Sequence, residues 1–391
     1  MHLLMVTETY PPEVNGVALT VQCLQQQLLA AGHRVTLVRP RQGCDAACAA
    51  PDEVRVPSLP IPRYPGLRFG LPAGRLLRRM LREGAVDAVY VATEGPLGWS
   101  AVRAANACGV AVASGFHTRF DDYFRHYGAP FLERAAFAWM RRFHNRADAT
   151  LVPTAELRDW LLARGFARVQ LLRRAVDTAR FHPAQRDPEL RRRLGVSECT
   201  PLVLHVGRLA PEKNLDLVVA GFERIRALNP AARMLWVGDG PARAPLEREH
   251  PRHLYTGVLR GAELARHYAS ADIFLFPSVS ETFGNVTLEA LASGLTVCAF
   301  DYAAAREHIV DGVSGALAPF GQPGAFIRRV ELAARDWLRG QRLGQAGRQS
   351  VEQLSPRRVA EDFAQLLGAL RPQAAVRNRE NRHAAFDPPL L

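Results

Sequence analysis

The sequence predicts an α/β protein made of two doubly wound, Rossmann-like domains. Apolar runs of four to seven residues alternate with stretches of helical period along most of the 391 residues. That is the pattern of parallel strands buried on both faces and joined by crossover helices. The runs fall into two series of about five, parted by a polar, proline-broken stretch at residues 183–188. Each series is enough for one open sheet.

The first series places strands at residues 3–6, 35–38, 88–91, 110–114 and 150–152, with helices at 17–31 and 130–146. The second places strands at 202–206, 234–237, 254–257, 273–276 and 296–300, with helices at 189–194, 215–228 and 289–293. The domains are therefore expected at residues 1–180 and 181–370. Residues 371–391 are polar, basic and proline-containing and read as a mobile tail. The segment Met1-His2-Leu3-Leu4-Met5-Val6 has no basic flank and is too short for a signal peptide. It reads as a first buried strand, with a cytoplasmic location as the expectation. No stretch reaches the ~18 apolar residues of a membrane span.

The formal net charge of +12 implies attraction to an anionic partner. Lys213 is the single lysine among 50 lysines and arginines. An isolated lysine in so arginine-rich a chain marks a place where a compact ammonium is needed, such as against a phosphate. The six cysteines lack metal-ligand spacing, Cys44 and Cys48 included, and read as reduced, mostly buried thiols. No cluster shows the spacing of a metal site, so a reaction without a metal or other cofactor is expected.

Four clusters carry chemistry. The first, Gly207-Arg208-Leu209-Ala210-Pro211-Glu212-Lys213-Asn214, leaves a strand and opens a helix. Such a turn offers free amides and the positive end of a helix dipole, and with Arg208 and Lys213 it suits two phosphates. The second runs from Ser280 to Ala290 and contains Glu281, Phe283, Gly284, Asn285 and Glu289. A carboxylate accepts two hydrogen bonds from vicinal hydroxyls, so two of them suit a sugar and a ribose. Gly284 allows close backbone approach. The third is the loop from Thr7 to Ala18, in which Gly16 stands at a helix start. The fourth is His117, after the strand at 110–114, with Arg119, Asp121 and Asp122 near it. It sits at the carboxyl end of a parallel strand, where such folds bind ligands. Gly238, Gly257 and Val258 also stand at strand ends, suited to a turn beside the ligand and to backbone contacts with a base.

Together these residues resemble the retaining family 4 glycosyltransferases over roughly residues 1–370. ETFGNVTLEALASGL is similar to that family's E-x7-E signature, and GRLAPEKN to its phosphate-binding loop. TETYPPEVNGVA, SLPIPRYPGLRFGLP, FHTRFDDYFRHYG and AVDTARF are closer to the branch of lipid-directed, GDP-mannose-dependent mannosyltransferases and sulfoquinovosyldiacylglycerol synthases. The resemblance implies the GT-B fold, two Rossmann-like domains facing a cleft. The acceptor would bind the first domain and the nucleotide sugar the second. Arg208 and Lys213 would hold the donor diphosphate, Glu289 the ribose and Glu281 the transferred sugar. The amides of Phe283, Gly284 and Asn285, with Gly16, would line the phosphate–sugar junction, and His117 would contact the sugar or support charge near the anomeric carbon. The chain departs from the family's Gly-Val-Asp at Ala175-Val176-Asp177, which puts the local backbone in question.

The acceptor implied is a membrane glycerolipid. The basic amphipathic segments at 74–82 and 131–143 are candidates for docking to an anionic membrane, peripheral on the inner face of the cell membrane. A soluble acceptor in polysaccharide or lipopolysaccharide assembly shares every donor motif. A nucleotide-sugar epimerase is opposed by the E-x7-E cluster. A nucleic-acid-binding protein is permitted by charge, but no zinc knuckle or RNP-like motif accompanies it. There is also no P-loop and no G-x-S-x-G hydrolase elbow.

Overall fold

The computed structural model describes residues 1–13, 15–43, 45, 51–60, 68–117, 130–335, 337–370 and 372. The chain divides into two compact units, Met1–Arg173 with Pro356–Leu391, and Arg174–Ser355.

The first unit contains β1 (His2–Val6), α1 (Gly16–Ala30), β2 (Arg34–Pro40), β3 (Glu53–Val56), β4 (Ser58–Pro60), β5 (Arg68–Gly70) and α2 (Gly74–Glu83). After these come β6 (Ala88–Val91), α3 (Pro96–Cys108), β7 (Ala111–Gly115), α4 (Pro130–His144), β8 (Ala149–Val152), α5 (Ala155–Leu162) and β9 (Val169–Leu171). Seven strands form one parallel sheet in the order β3-β2-β1-β6-β7-β8-β9. β4 and β5 form a separate antiparallel pair. The order reverses direction between β1 and β6, so the loops leaving these strands diverge there and open a crevice at their carboxyl ends.

The second unit contains α6 (Pro188–Arg193), β10 (Leu202–Val206), α7 (Leu215–Leu228), β11 (Arg233–Val237), α8 (Arg243–Glu249), β12 (Leu254–Gly257) and α9 (Gly261–Ser270). It continues with β13 (Ile273–Phe276), α10 (Asn285–Ala292), β14 (Thr296–Phe300), α11 (Ala303–His308), β15 (Ala316–Ala318), α12 (Pro323–Arg335) and α13 (Trp337–Val351). Its six-stranded parallel sheet has the order β12-β11-β10-β13-β14-β15, with the reversal between β10 and β13. Strand residues such as Val203, Leu204, Phe274 and Leu275 are wholly buried, as a strand covered on both faces must be.

The last helix, α14 (Pro356–Ala369), corrects the expected division. The sequence places residues 356–370 with the second domain, whereas they belong to the first unit. Val359, Ala360, Phe363 and Leu367 are buried, and the last three join Leu3, Met5, Ala88, Tyr90 and Ala113 of the sheet and Val21, Leu24 and Leu28 of α1 in one core. The chain enters the second unit at Arg174 rather than 181. Ala175 is not among the residues of positive φ, so alanine in place of glycine is accommodated there without strain. Of the cysteines, Cys298 is buried and Cys199 exposed, with Cys23 and Cys108 between, so the expectation of mostly buried thiols holds for Cys298 alone among the described residues. Cys44, Cys48, Arg119, Asp121, Asp122 and the tail from 373 lie outside the described residues. No helix of the described residues is long and apolar enough to cross a membrane.

This packing predicts an asymmetry between the units. The fragment 174–355 should fold alone, with cooperative urea unfolding. A chain ending at Ser355 should lose the stability of its first unit, because α14 covers that core. Phe363→Ala in the full chain should cost about 3–5 kcal/mol in the same experiment.

Candidate active site

In the second unit the phosphate-type loop and the glutamate cluster meet at the sheet's reversal point. β10 delivers Gly207 and β13 delivers the segment before Glu281. The backbones of neighbouring strand ends are knitted together. Gly207 N–H donates to Val237 (3.0 Å), Gly238 N–H to Gly257 (2.8 Å) and Leu209 N–H to Asp239 (2.9 Å). A Cβ on Gly238 would lie 1.9 Å from the Gly207 carbonyl oxygen, so only glycine is possible there. Val258, just beyond β12, is 56% exposed.

Lys213 ends a short 3-10 turn, Pro211–Lys213, and Asn214 then takes a left-handed conformation (φ 57°) that starts α7. The Lys213 ammonium donates to Glu281 Oε1 and stands 5.8 Å from the Phe276 ring centroid. Both side chains of the pair are 15% exposed. Ser278 donates to the same carboxylate oxygen at 2.9 Å, and the Tyr302 hydroxyl donates to the Glu281 carbonyl at 2.7 Å. Val279 N–H donates to the Glu212 carbonyl at 3.2 Å. The two loops are thus locked by backbone and side chain together. Arg208 is less constrained: it is 55% exposed and its nearest carboxylate, Glu212, is 3.8 Å away. The structure brings Lys213 and Glu281 together, and among the described residues Arg208 pairs with Glu212 instead.

Gly284 adopts φ 90° and starts α10 at Asn285, four residues earlier than the sequence predicts. A left-handed glycine ends the loop abruptly and lets the helix begin at once. The first amides of α10 therefore lie beyond the helix's own hydrogen bonds. Phe283 is 4% exposed and its carbonyl accepts from Ala304 N–H at 2.9 Å. Glu289 is half-buried on α10. Burial pushes its carboxyl up to about 7, against the Tyr268 hydroxyl bonded to it and the charge of Arg180.

Sequence reasoning missed His205. It is wholly buried in β10, and its Nδ1–H donates to the Leu275 carbonyl at 3.0 Å. Its Nε2 has no hydrogen-bond partner. Burial lowers its pKa to about 4, and the nearby Lys213 charge acts in the same direction. Tyr268, Ser278 and Tyr302 were also missed: Tyr268 and Tyr302 support named residues from other elements, and Ser278 stands in the same loop as Glu281.

Gly16 and His117 belong to the first unit. Gly16 opens α1, where Asn15 Oδ1 already accepts from Ala18 N–H at 2.8 Å, and a Cβ on Gly16 would meet nothing. Glu8 stands in the loop that leaves β1. Its carboxylate accepts from Gly70 N–H and from Leu97 N–H, the latter at 2.9 Å. It thereby ties β1's loop to β5 and to the start of α3. Burial raises its pKa despite these bonds. His117 follows β7 and its Nε2 lies 3.0 Å from the Tyr90 hydroxyl.

Comparison with known proteins fits this geometry. Residues 14–180 match the profile described as "Glycosyltransferase Family 4", and residues 200–336 match "Glycosyl transferases group 1". A "GDP-mannose-dependent alpha-mannosyltransferase" of Mycobacterium tuberculosis (strain CDC 1551 / Oshkosh) is 37% identical over 97% of this chain and 98% of its own. The chain is a family 4 glycosyltransferase. It is thus a hexosyltransferase of the GT-B class. An "Alpha-monoglucosyldiacylglycerol synthase" of Streptococcus pneumoniae (strain ATCC BAA-255 / R6) is 26% identical over 81% of this chain and 75% of its own. Among solved structures, Anabaena Alr3699/HepE in complex with UDP aligns with a TM-score of 0.74 at 17% identity, over 95% of this chain and 100% of that one, a likeness of fold.

Three predictions follow from the glycosyltransferase's second unit. Lys213→Ala should lower sugar transfer about a hundredfold, and Lys213→Arg at least about tenfold, in initial-rate assays, because a forked guanidinium cannot occupy the ammonium's place. Glu289 should make donor binding pH-dependent. Its raised pKa leaves it partly protonated below about 7. Donor KM should therefore fall as pH rises from about 6 to 8, and Glu289→Gln should flatten that profile. The same shift makes the folded state bind the extra proton, so Glu289's contribution to stability declines from about pH 4.5 to 7.

Proposed function

We propose that this chain transfers mannose from GDP-mannose, with retention at the anomeric carbon, to a glycerolipid at an anionic membrane surface. The observation that carries the reading is the lone lysine joined to Glu281 at the reversal point of the second sheet. A departing nucleoside diphosphate gathers negative charge while the sugar becomes oxocarbenium-like. A fixed ammonium and the unpaired amides of a helix start, aimed at that charge, are the most effective help a protein can give. Lys213 and Arg208 take the diphosphate, with the amides of Gly284 and Asn285 and with Gly207 beside them. Glu281 is then released to hold a hydroxyl of the transferred sugar, and Glu289 holds the ribose. Gly238, Gly257 and Val258 border the base. Gly16 and His117 stand in the first unit, at a helix start and just beyond a strand's carboxyl end. The mannosyl donor rests on the mycobacterial relative's name, and the lipid acceptor on that of the streptococcal alpha-monoglucosyldiacylglycerol synthase.

The docking surface is basic rather than apolar. α2 buries Leu77 and Leu81 in its own core and exposes Arg75, Arg78, Arg79 and Arg82. Its apolar face is therefore not free to insert, and it attracts lipid headgroups by charge alone. Trp139 of α4 is 40% exposed, with Arg141 and Arg142 exposed beside it. Near an anionic surface each arginine contributes about 1 kcal/mol, screened within a Debye length.

The test is label transfer from a panel of radiolabelled sugar nucleotides with anionic vesicles containing diacylglycerol. GDP-mannose is expected to carry label into the organic phase with the α configuration kept. A β product overturns retention, and label confined to the aqueous phase overturns the lipid acceptor. Replacing Arg75, Arg78, Arg79 and Arg82 by glutamine should abolish sedimentation with these vesicles. Unchanged sedimentation would remove α2 from the docking surface.

A further inference from the structure

The second unit has a cavity at the opposite end of its sheet from the Lys213–Glu281 pair. Its volume is about 780 Å³, and Asp272, Ile273 and Thr296 line it at the amino ends of β13 and β14. Lys213 and Glu281 stand beyond the carboxyl ends of β10 and β13. The size is that of a small-molecule site. One wall is α13, which brings Gln341, Gln345 and Gln349 into the lining. Residues four apart share one face of a helix, so the three carboxamides form a row with steps of about 6 Å. All three are exposed, and among the described residues no hydrogen bond engages them. Ser293, which ends α10, also lines the cavity. It is 3% exposed, and its hydroxyl has no hydrogen-bond partner. A buried hydroxyl left unpaired at a cavity is a group for a ligand to satisfy.

The charges in the wall are engaged by the protein itself. The Arg186 guanidinium donates to the carbonyls of Ala269 and Ala271 (3.3 Å each), to Asp272 Oδ1 (3.0 Å) and to Glu198 (3.2 Å). Asp272 Oδ2 accepts from Arg191 (3.1 Å) and from Leu202 N–H (2.8 Å). Arg348 donates to the carbonyls of Ala292 and of Phe181, the latter at 3.2 Å, and faces Glu352 at 3.6 Å. An ionic ligand would have to break such contacts to be held. What the wall leaves free is neutral: three carboxamides, each with two donor hydrogens and an acceptor oxygen, and one hydroxyl. A sugar's hydroxyls donate and accept in the same way, and the step between the glutamines is close to the length of a pyranose ring. Pro183, Ala269 and Ala271 add small apolar surface for the C–H face of such a ring. We propose that this cavity is a non-catalytic binding site for a short neutral oligosaccharide, held by Gln341, Gln345, Gln349 and Ser293. The site lies within the second unit and does not depend on which donor or acceptor the enzyme uses.

The test is a titration of the full chain, 15N-labelled at its glutamine side chains, followed in 1H–15N spectra. The three signals are assigned by their absence from Gln341→Ala, Gln345→Ala and Gln349→Ala. The probes are α-mannobiose, maltose and inorganic phosphate, each at millimolar concentration. One of the disaccharides is expected to shift all three signals together and saturably, and phosphate to shift none. The glycoside of that disaccharide with dihexanoylglycerol, run beside it, tells a glycolipid head from a free sugar by which binds more tightly. Ser293→Ala should weaken the binding about threefold, as for loss of one neutral hydrogen bond, and should leave thermal stability unchanged, since the hydroxyl has no partner to lose. Gln345→Ala, at the centre of the row, should remove the shifts of the other two signals. No saturable shift with either disaccharide overturns the proposal. So does a saturable shift with phosphate alone, which makes the cavity an anion site. Undiminished affinity at Gln341 and Gln349 in Gln345→Ala overturns it as well.

Discussion

The ion pair between Lys213 and Glu281 is the constraint around which the second unit's site is arranged. Two charges held at 15% exposure lose much of their hydration, and such a pair is not a source of net stability by itself. Its value lies in what it holds. Ser278, Tyr302 and the Glu212 carbonyl fix the two loops so that an ammonium and a carboxylate stand ready at the reversal point of the sheet. Each partner is satisfied by the other, and in the proposed function an anion and a hydroxyl replace it. The unpartnered Nε2 of His205 lies in the strand that feeds this loop, and its neutrality keeps a second positive charge away from Lys213.

The first unit answers a different demand. Its polar residues at the β1 and β7 ends hold loops rather than charges. Glu8 binds backbone amides of two other segments, and Tyr90 binds His117. α14 returns to this unit and closes the apolar surface beneath Tyr90. The first unit's core and His117 are therefore linked through the contact of Phe363 with Tyr90. The arginines of α2, by contrast, stand on a helix whose apolar side is fully used inside the unit.

Much of this was legible in the residues. Every strand predicted from an apolar run is present, from β1 to β14 of the two sheets, because a parallel strand covered on both faces must be apolar throughout. β3, β4, β5, β9 and β15 were not foreseen. They are three or four residues long, and those such as β3 and β4 are only half-buried or exposed, so no apolar run marks them. α14 shows a helical period, but a period cannot say which core the apolar face will join. Lys213 and Glu281 were singled out because their types and context are specific to the chemistry, and the structure pairs them. Tyr90, Gly115 and His205 were not, because inside a strand they read as ordinary core positions. Only the third dimension shows a phenol aimed at an imidazole, or a glycine making room for both.

The most direct test of the account is a calorimetric titration of GDP and UDP into the full chain and into Glu281→Gln. If the donor's diphosphate takes Lys213 from Glu281, removing that carboxylate's charge ends the competition. The variant should then bind the preferred nucleotide about tenfold more tightly, roughly 1.4 kcal/mol, while sugar transfer falls. Equal or weaker nucleotide binding in the variant would contradict the account, and the ion pair would then be a structural clasp and not the seat of the leaving group.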